Sequence, residues 1–161
     1  MKFISHRGNL DGPNPERENS PDYIDEAIDK EFDVEIDVRL TGGYVPPGSF
    51  YLGHDHPEHE VSLEWLINRK DKIWLHAKNV AALRWFLSST ISWNVFWHQE
   101  DDYTITSKGY IWVYPGQNPC HGSIIVMPER TRNPLSSIRR CGGICSDNIE
   151  NYYEEFKAGN F

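Results

Sequence analysis

The sequence has few cysteines, no long apolar run and fewer basic than acidic residues. Its 161 residues include three cysteines, Cys120, Cys141 and Cys145. So odd and sparse a set does not build a disulfide framework, and we expect a reducing, cytoplasmic location. No segment approaches 18 consecutive apolar residues, and the first residues lack the apolar core of a signal peptide. We therefore expect no transmembrane helix and no stable membrane insertion.

The shortage of basic residues also limits the partners. Sixteen Lys and Arg against 24 Asp and Glu give a formal net charge of −8. A field of this sign repels nucleic-acid phosphates, so we expect no nucleic-acid partner. The negative net charge does not exclude an anionic small-molecule substrate, provided that a metal cation or a few nearby Arg and Lys offset the charge at the binding site.

The chain does have the composition of a folded domain, with 39% hydrophobic and 13% aromatic residues. Its length predicts one domain over 1–161. Eight short apolar segments are predicted strands: Lys2–His6, Phe32–Leu40, Phe50–His54, Lys72–Lys78, Asn94–His98, Tyr110–Tyr114, Ser123–Met127 and Gly142–Ser146. Predicted helices follow Ser20, Ser62 and Asn79, occupy Thr131–Arg139, and begin at a capping box formed by Asp147 and Glu150.

Eight strands that mostly alternate with helices favour an α/β fold, a small (β/α)8 TIM barrel. Such barrels usually need about 200–250 residues. The connections 40–50 and 114–123 are also too short for a packed helix. We therefore expect several outer helices to be reduced or missing. The alternative is an open α/β sheet with fewer strands.

Acidic residues alternate with aliphatic ones in the second predicted strand. Glu35 and Asp37 are two residues apart, so they point to the same face of the sheet. Two like charges inside a covered sheet cost several kcal/mol unless something compensates them. A divalent cation bound by carboxylate oxygens would compensate them, and a solvated edge strand is the alternative.

Histidines end two other predicted strands. His6 is followed by Arg7 and Gly8, a basic side chain and a residue that lets the backbone approach an anion closely. His54 is followed by Asp55, and with His56 and His59 it has the spacing of a possible zinc site. In the fourth strand, parity places His76 and Lys78 on one face.

Together these motifs resemble the glycerophosphodiester phosphodiesterase family. The order His6-Arg7-Gly8, Glu18-Asn19-Ser20, Glu35-x-Asp37, His54-Asp55 is similar to that family's HRG, ENT, E-x-D and HD motifs. The similarity is most specific over about residues 3–55 and continues more loosely to about residue 80. Phosphatidylinositol phospholipase C and sphingomyelinase D-type enzymes share the same barrel.

The resemblance implies a metal-dependent phosphodiesterase, a phosphoric diester hydrolase, acting on a small glycerophosphodiester-like substrate. It implies that His6 and His54 are the catalytic acid and base. It implies that Glu35 and Asp37 bind the metal, with a third ligand at the position of His76. Arg7 and Lys78 would bind the substrate phosphate.

Two departures from the family pattern bear on function. The family has Glu where this chain has His76. Because an imidazole ligand suits transition ions, Mn²⁺ and Zn²⁺ become alternatives to the expected Mg²⁺ or Ca²⁺. The family's helical insertion subdomain is missing, since only 56–62 separate the His-Asp motif from the next helix. A weakened barrel that binds a phosphorylated ligand without turnover is therefore the second hypothesis. Missing outer helices would also expose apolar barrel wall, which favours a homodimer.

Overall fold

The computed structural model describes residues 1–42, 49–130 and 138–161. Within these ranges the chain forms ten strands, four α-helices and one short 3₁₀ helix at Pro128–Arg130. The strands are β1 (Lys2–His6), β2 (Asp33–Thr41), β3 (Ser49–Leu52), β4 (His59–Val61), β5 (Ile73–Ala77), β6 (Val95–Phe96), β7 (Tyr103–Ile105), β8 (Ile111–Val113), β9 (Ile124–Val126) and β10 (Gly143–Ser146). The helices are α1 (Pro21–Asp29), α2 (Leu63–Arg69), α3 (Val80–Ser88) and α4 (Ile149–Lys157).

The strands belong to one mixed sheet that curls into a half-barrel. Its order is β4-β3-β2-β1-β10-β9-β8-β7, and β5 pairs with β2 and then with β6. Neighbours are parallel from β6 through β5, β2, β1, β10 and β9 to β8. At the far end, Ser107 N just beyond β7 donates to the carbonyl oxygen of Val95 in β6 at 2.8 Å. The curl therefore brings β6 close to the end of β7.

The expectation of a (β/α)8 barrel is wrong. The third predicted strand, Phe50–His54, is β3, and it runs antiparallel to β2, with Leu52 opposite Val38. β3 thus returns along β2 where a barrel needs another parallel strand. The hairpin strand β7 is antiparallel to β8. Four helices in the described part of the chain do not surround the sheet. The helix predicted at Thr131–Arg139 falls mainly on 131–137, outside the described residues.

Period-two alternation gives the sheet two different faces. On the helix side, Val34, Ile36 and Val38 of β2 join the larger core with residues of all four helices. The opposite, concave face holds a second apolar cluster without helix residues: Ile4, Trp74, Phe96, Trp112, Ile124, Val126, Met127 and Cys145. Because Glu35 and Asp37 alternate with the helix-side residues of β2, they lie on the concave face.

Helices α2 and α3 begin at caps that the sequence predicts. The Asn79 side chain accepts from Ala82 N at 2.9 Å, and the Ser62 hydroxyl accepts from Trp65 N at 3.0 Å. These hydrogen bonds satisfy backbone N–H groups in the first turn, which have no partner within the helix. None of the described helices combines the length and apolarity needed to cross a membrane.

The side of β7 and β8 that faces away from Trp112 and the concave face exposes large apolar side chains. Tyr103 is 45%, Ile105 65% and Ile111 37% exposed. This feature accords with the reasoning behind the homodimer expectation, which stays a prediction.

Candidate metal centre

Three possible metal ligands meet on the concave face. Glu35 and Asp37 come from β2, and His76 comes from β5, where it is directly opposite Asp37 in the parallel ladder. The Nδ1 atom of His76 is 3.4 Å from Glu35 Oε1 and 3.2 Å from Asp37 Oδ1. One ligand atom from each residue lies within 4.8 Å of the other two. Glu35, Asp37 and His76 could therefore hold a metal ion.

The two carboxylates have oxygen atoms without hydrogen bonds. Glu35 is 2% exposed and Asp37 is fully buried. Among the described residues, Glu35 Oε2 and Asp37 Oδ1 accept no hydrogen bond. Buried polar atoms are normally satisfied, and burial of an unsatisfied charge is costly. Since hard cations take carboxylate oxygens, these side chains fit a bound divalent ion.

The second nitrogen of His76 fixes the orientation of its ring. His76 Nε2 donates to the carbonyl oxygen of His98 at 2.9 Å, because a carbonyl can only accept. The ring also stacks on Phe96, with centroids 4.9 Å apart and planes 11° apart. Burial alone would lower the pKa of His76, but the Asp37 and Glu35 carboxylates raise it to about 9. Without a metal, the imidazolium is thus the cation that faces the two carboxylates.

Asp37 is held by further groups on its other oxygen. Asn19 Nδ2 donates to Asp37 Oδ2 at 3.0 Å, and Asp37 N donates to Asn19 Oδ1 at 2.9 Å. Arg7 Nε lies 2.8 Å from Asp37 Oδ2. Burial would raise the pKa of Asp37, but His76, Arg7 and Asn19 together hold it far below its usual range. Asp37 is therefore ionised wherever the protein is folded near neutral pH.

His6 lies beside this cluster and is paired with Asp147. His6 Nδ1 is 2.6 Å from Asp147 Oδ1, and His6 Nε2 is 3.9 Å from Glu35 Oε2. Asn9 and Arg130 also donate to Asp147, at 2.8 and 2.7 Å. Burial would raise the pKa of Asp147, but the contacts with His6, Asn9 and Arg130 lower it to about 2. An ionised Asp147 accepts a hydrogen bond from His6 Nδ1–H, which leaves Nε2 facing Glu35.

The chain reaches this arrangement through a strained turn after β1. Arg7 has φ 56° and Asn19 has φ 62°, both in the left-handed region that non-glycine residues seldom adopt. Gly8 follows with φ 93°, and a Cβ there would lie 2.8 Å from Tyr23 Cδ1. Arg7 Nη1 donates to Glu18 Oε2 at 3.0 Å. The turn thus directs the Arg7 guanidinium back over the carboxylates, with 18% of its side chain exposed.

Lys78 approaches the cluster from the end of β5. Its Nζ is 3.8 Å from Asp37 Oδ1, and 16% of its side chain is exposed. Of the seven residues predicted for the site, six therefore lie together: His6, Arg7, Glu35, Asp37, His76 and Lys78.

His54 is the residue that the structure leaves apart. Its backbone is near the site, because Gly53 N donates to Asp37 O at 3.1 Å. Its ring, however, lies at the surface with 42% of the side chain exposed, and Nδ1 is 2.8 Å from Asp55 Oδ1. Within the described ranges, no hydrogen bond or ion pair joins this ring to His6, Glu35 or Asp37.

The alternative zinc site at His54, His56 and His59 is not formed either. In the part of the chain that the structure describes, these three are not among the clustered ligands.

Asp147 is the functional candidate that sequence reasoning misassigned. The pattern Asp147-x-x-Glu150 predicts a helix cap, but the cap residue of α4 is Asn148. The Asp147 carboxylate turns to His6 instead, while Glu129 Oε1 accepts from Ser146 Oγ at 2.9 Å and from Asp147 N at 3.1 Å. Asp147 directly follows β10, and β10 is the parallel neighbour of β1, which ends at His6. This position at the end of a strand was the sequence signal that could have placed Asp147 beside His6.

Comparison with protein-family models, with curated proteins and with solved structures finds no match for this chain. The resemblance to phosphodiesterases accordingly rests on the motif residues alone.

Proposed function

We propose that this protein is a metal-dependent phosphodiesterase that hydrolyses a small glycerophosphodiester-like substrate. The observation that carries the proposal is the placement of His6 Nε2 beside the buried Glu35, with His6 Nδ1 held by Asp147. An oriented histidine next to a candidate metal cluster is the arrangement that general acid–base cleavage of a phosphate ester requires.

Glu35, Asp37 and His76 would hold the metal, which the sequence resemblance expects to be Mg²⁺ or Ca²⁺, with Mn²⁺ and Zn²⁺ as alternatives. A bound divalent cation supplies charge neutralisation for the phosphoryl oxygens. Two cationic side chains of the protein add to this charge neutralisation. Arg7 and Lys78 lie near different oxygens of Asp37, and both remain partly exposed. Arg7 and Lys78 would bind phosphoryl oxygens, and their positive charges would favour an anionic substrate over a neutral one.

His6 moves the proton in this proposal. Its Nε2 faces the cluster, so it takes a proton from the nucleophile or gives one to the leaving alcohol. Asp147 fixes the tautomer and stabilises the charged imidazole. Such a histidine contributes roughly 10²–10⁴-fold to turnover.

A specific observation favours the second hypothesis, a protein that binds a phosphorylated ligand without turnover. The expected partner of His6 in acid–base catalysis is His54, and its ring is bonded to Asp55 at the surface. Catalysis by a histidine pair requires His54 to turn inward when substrate binds.

Variant kinetics distinguish the two functions. We would strip the protein with chelator, add back Mg²⁺, Ca²⁺, Mn²⁺ or Zn²⁺ singly, and assay glycerophosphocholine, glycerophosphoinositol and bis-p-nitrophenyl phosphate. The enzyme proposal expects metal-dependent hydrolysis that falls at least about 10²-fold in both His6→Ala and His54→Ala. Loss in His6→Ala alone would assign the acid–base role to His6 without His54. Ligand binding with no hydrolysis of any diester would favour the binding protein.

A further inference from the structure

We propose that the metal centre selects a first-row transition-metal ion over Mg²⁺ and Ca²⁺, and that His76 makes this selection. The inference deepens the proposed function and rests on its metal cluster. It does not depend on hydrolysis, because it concerns which ion Glu35, Asp37 and His76 bind.

The His76 ring is held in an orientation that presents Nδ1 to a metal. The His98 carbonyl accepts from Nε2 at 2.9 Å, and Phe96 stacks on the ring at 4.9 Å. Metal-bound histidines commonly donate their other ring nitrogen to a carbonyl or carboxylate, which fixes the tautomer and strengthens the ligand. Here that contact directs Nδ1 toward Glu35 and Asp37.

The groups that Nδ1 of His76 faces are carboxylate oxygens, which are acceptors. Glu35 Oε1 lies at 3.4 Å and Asp37 Oδ1 at 3.2 Å, and one oxygen of each carboxylate lacks a hydrogen bond. A neutral imidazole offers a lone pair at Nδ1 when Nε2 carries the proton. Three electron-pair donors therefore converge, and a cation between them satisfies all three.

The chemistry of the three ligands determines which ions they favour. Mg²⁺ and Ca²⁺ prefer oxygen ligands, and Mg²⁺ in particular keeps water in preference to nitrogen. Imidazole suits Zn²⁺, Fe²⁺, Cu²⁺ and Ni²⁺, while carboxylates also accept Mn²⁺. A mixed set of two carboxylates and one imidazole therefore favours transition ions. A glutamate at position 76 would make the set all-oxygen, which provides a matched variant.

The test is direct metal binding, measured by titration calorimetry on the chelator-stripped full chain. Mn²⁺, Zn²⁺, Mg²⁺ and Ca²⁺ are titrated singly into the wild type, His76→Glu and His76→Ala. We expect the wild type to bind Zn²⁺ and Mn²⁺ at least about tenfold more tightly than Mg²⁺. We expect His76→Glu to gain Mg²⁺ and Ca²⁺ affinity and His76→Ala to lose Zn²⁺ affinity.

Two controls keep the result specific. His56→Gln combined with His59→Gln removes two imidazoles outside the Glu35, Asp37 and His76 cluster and should leave the Zn²⁺ affinity unchanged. The absorption spectrum of bound Co²⁺ should differ between the wild type and His76→Glu, because a nitrogen ligand has been replaced. Circular dichroism confirms that each variant is folded, and His76→Gln replaces His76→Ala if the alanine variant is not.

Equal affinity of the wild type for Mg²⁺ and Zn²⁺, or unchanged Zn²⁺ binding in the folded His76 variants, would overturn the inference. Selective Zn²⁺ or Mn²⁺ binding without diester hydrolysis would support it and count against the proposed function. A third outcome is diester hydrolysis supported by Mg²⁺, with the same Mg²⁺ affinity in the wild type and in His76→Glu. That result would support the proposed function and refute this inference.

Discussion

The pairing of His76 with two buried carboxylates predicts how the metal-free protein responds to pH. Folding raises the pKa of His76 from 6.5 to about 9. Each pKa unit corresponds to about 1.36 kcal/mol. The difference makes the charged His76 worth about 3 kcal/mol to the folded state. Because the folded pKa is the higher one, this contribution is complete below about pH 6.5 and is lost as the pH rises through 9.

The measurement is urea unfolding in the presence of chelator at pH 6 and at pH 9.5, for the wild type and His76→Gln. The glutamine variant keeps a polar side chain but cannot be protonated. We expect the stability advantage of the wild type over the variant to shrink by about 3 kcal/mol between the two pH values. An advantage that stays constant, or that grows with pH, would refute the assignment of His76 as the cation between Glu35 and Asp37.

Bound metal supplies an internal control for the same experiment. The ion and the proton compete for Nδ1, so metal binding strengthens as the pH rises. A ligand that binds only the folded state stabilises it by RT ln(1 + [L]/Kd), where [L] is the free ligand concentration. Saturating metal should therefore remove the loss of stability that chelated protein shows above pH 6.5.

Three further substitutions test other parts of the site. Asp147→Asn should lower diester turnover at least about 10²-fold, because the amide no longer fixes the His6 tautomer, and steady-state kinetics would show a fall in kcat. Gly53→Ala should destabilise the protein by about 1–3 kcal/mol in urea unfolding, since φ is 140° and a Cβ would lie 2.1 Å from His56 O. Arg7→Lys should raise KM more than it lowers kcat, because an ammonium cannot form the two-pronged phosphate contact of a guanidinium. Wild-type kinetics in the first and third variants, or unchanged stability in the second, would contradict these assignments.

The strands were largely predictable because the alternation of apolar residues is local information. β1 lies where predicted, at Lys2–His6, and the second predicted strand lies within one residue of Asp33–Thr41 at each end. The direction of β3 was not predictable from that pattern, because a parallel and an antiparallel strand can have the same alternation. The antiparallel pairing of β3 with β2 is set by tertiary contacts and not by the local sequence. This pairing is why the sheet is mixed and curled and does not form the expected parallel barrel.

The candidate site was predictable where strand parity fixes which side chains share a face. Glu35 with Asp37, and His76 with Lys78, follow from period two, and the β2–β5 register then brings the pairs together. The role of Asp147 was not predictable from local spacing, because its sequence also satisfies a helix-capping pattern. His6 and Asp147 are 141 residues apart in the chain, and the pairing of β1 with β10 brings them into contact.

The most direct test of the account is to follow a glycerophosphodiester by ³¹P nuclear magnetic resonance with metal-loaded wild type and with Glu35→Gln. The amide keeps the shape of the side chain but removes one charged metal ligand. We predict that the diester signal gives way to a phosphomonoester or cyclic phosphate signal with the wild type, and that it persists with Glu35→Gln and after chelation. Equal conversion by both proteins, or conversion that chelator does not stop, would contradict the claim that the Glu35, Asp37 and His76 cluster holds a catalytic metal.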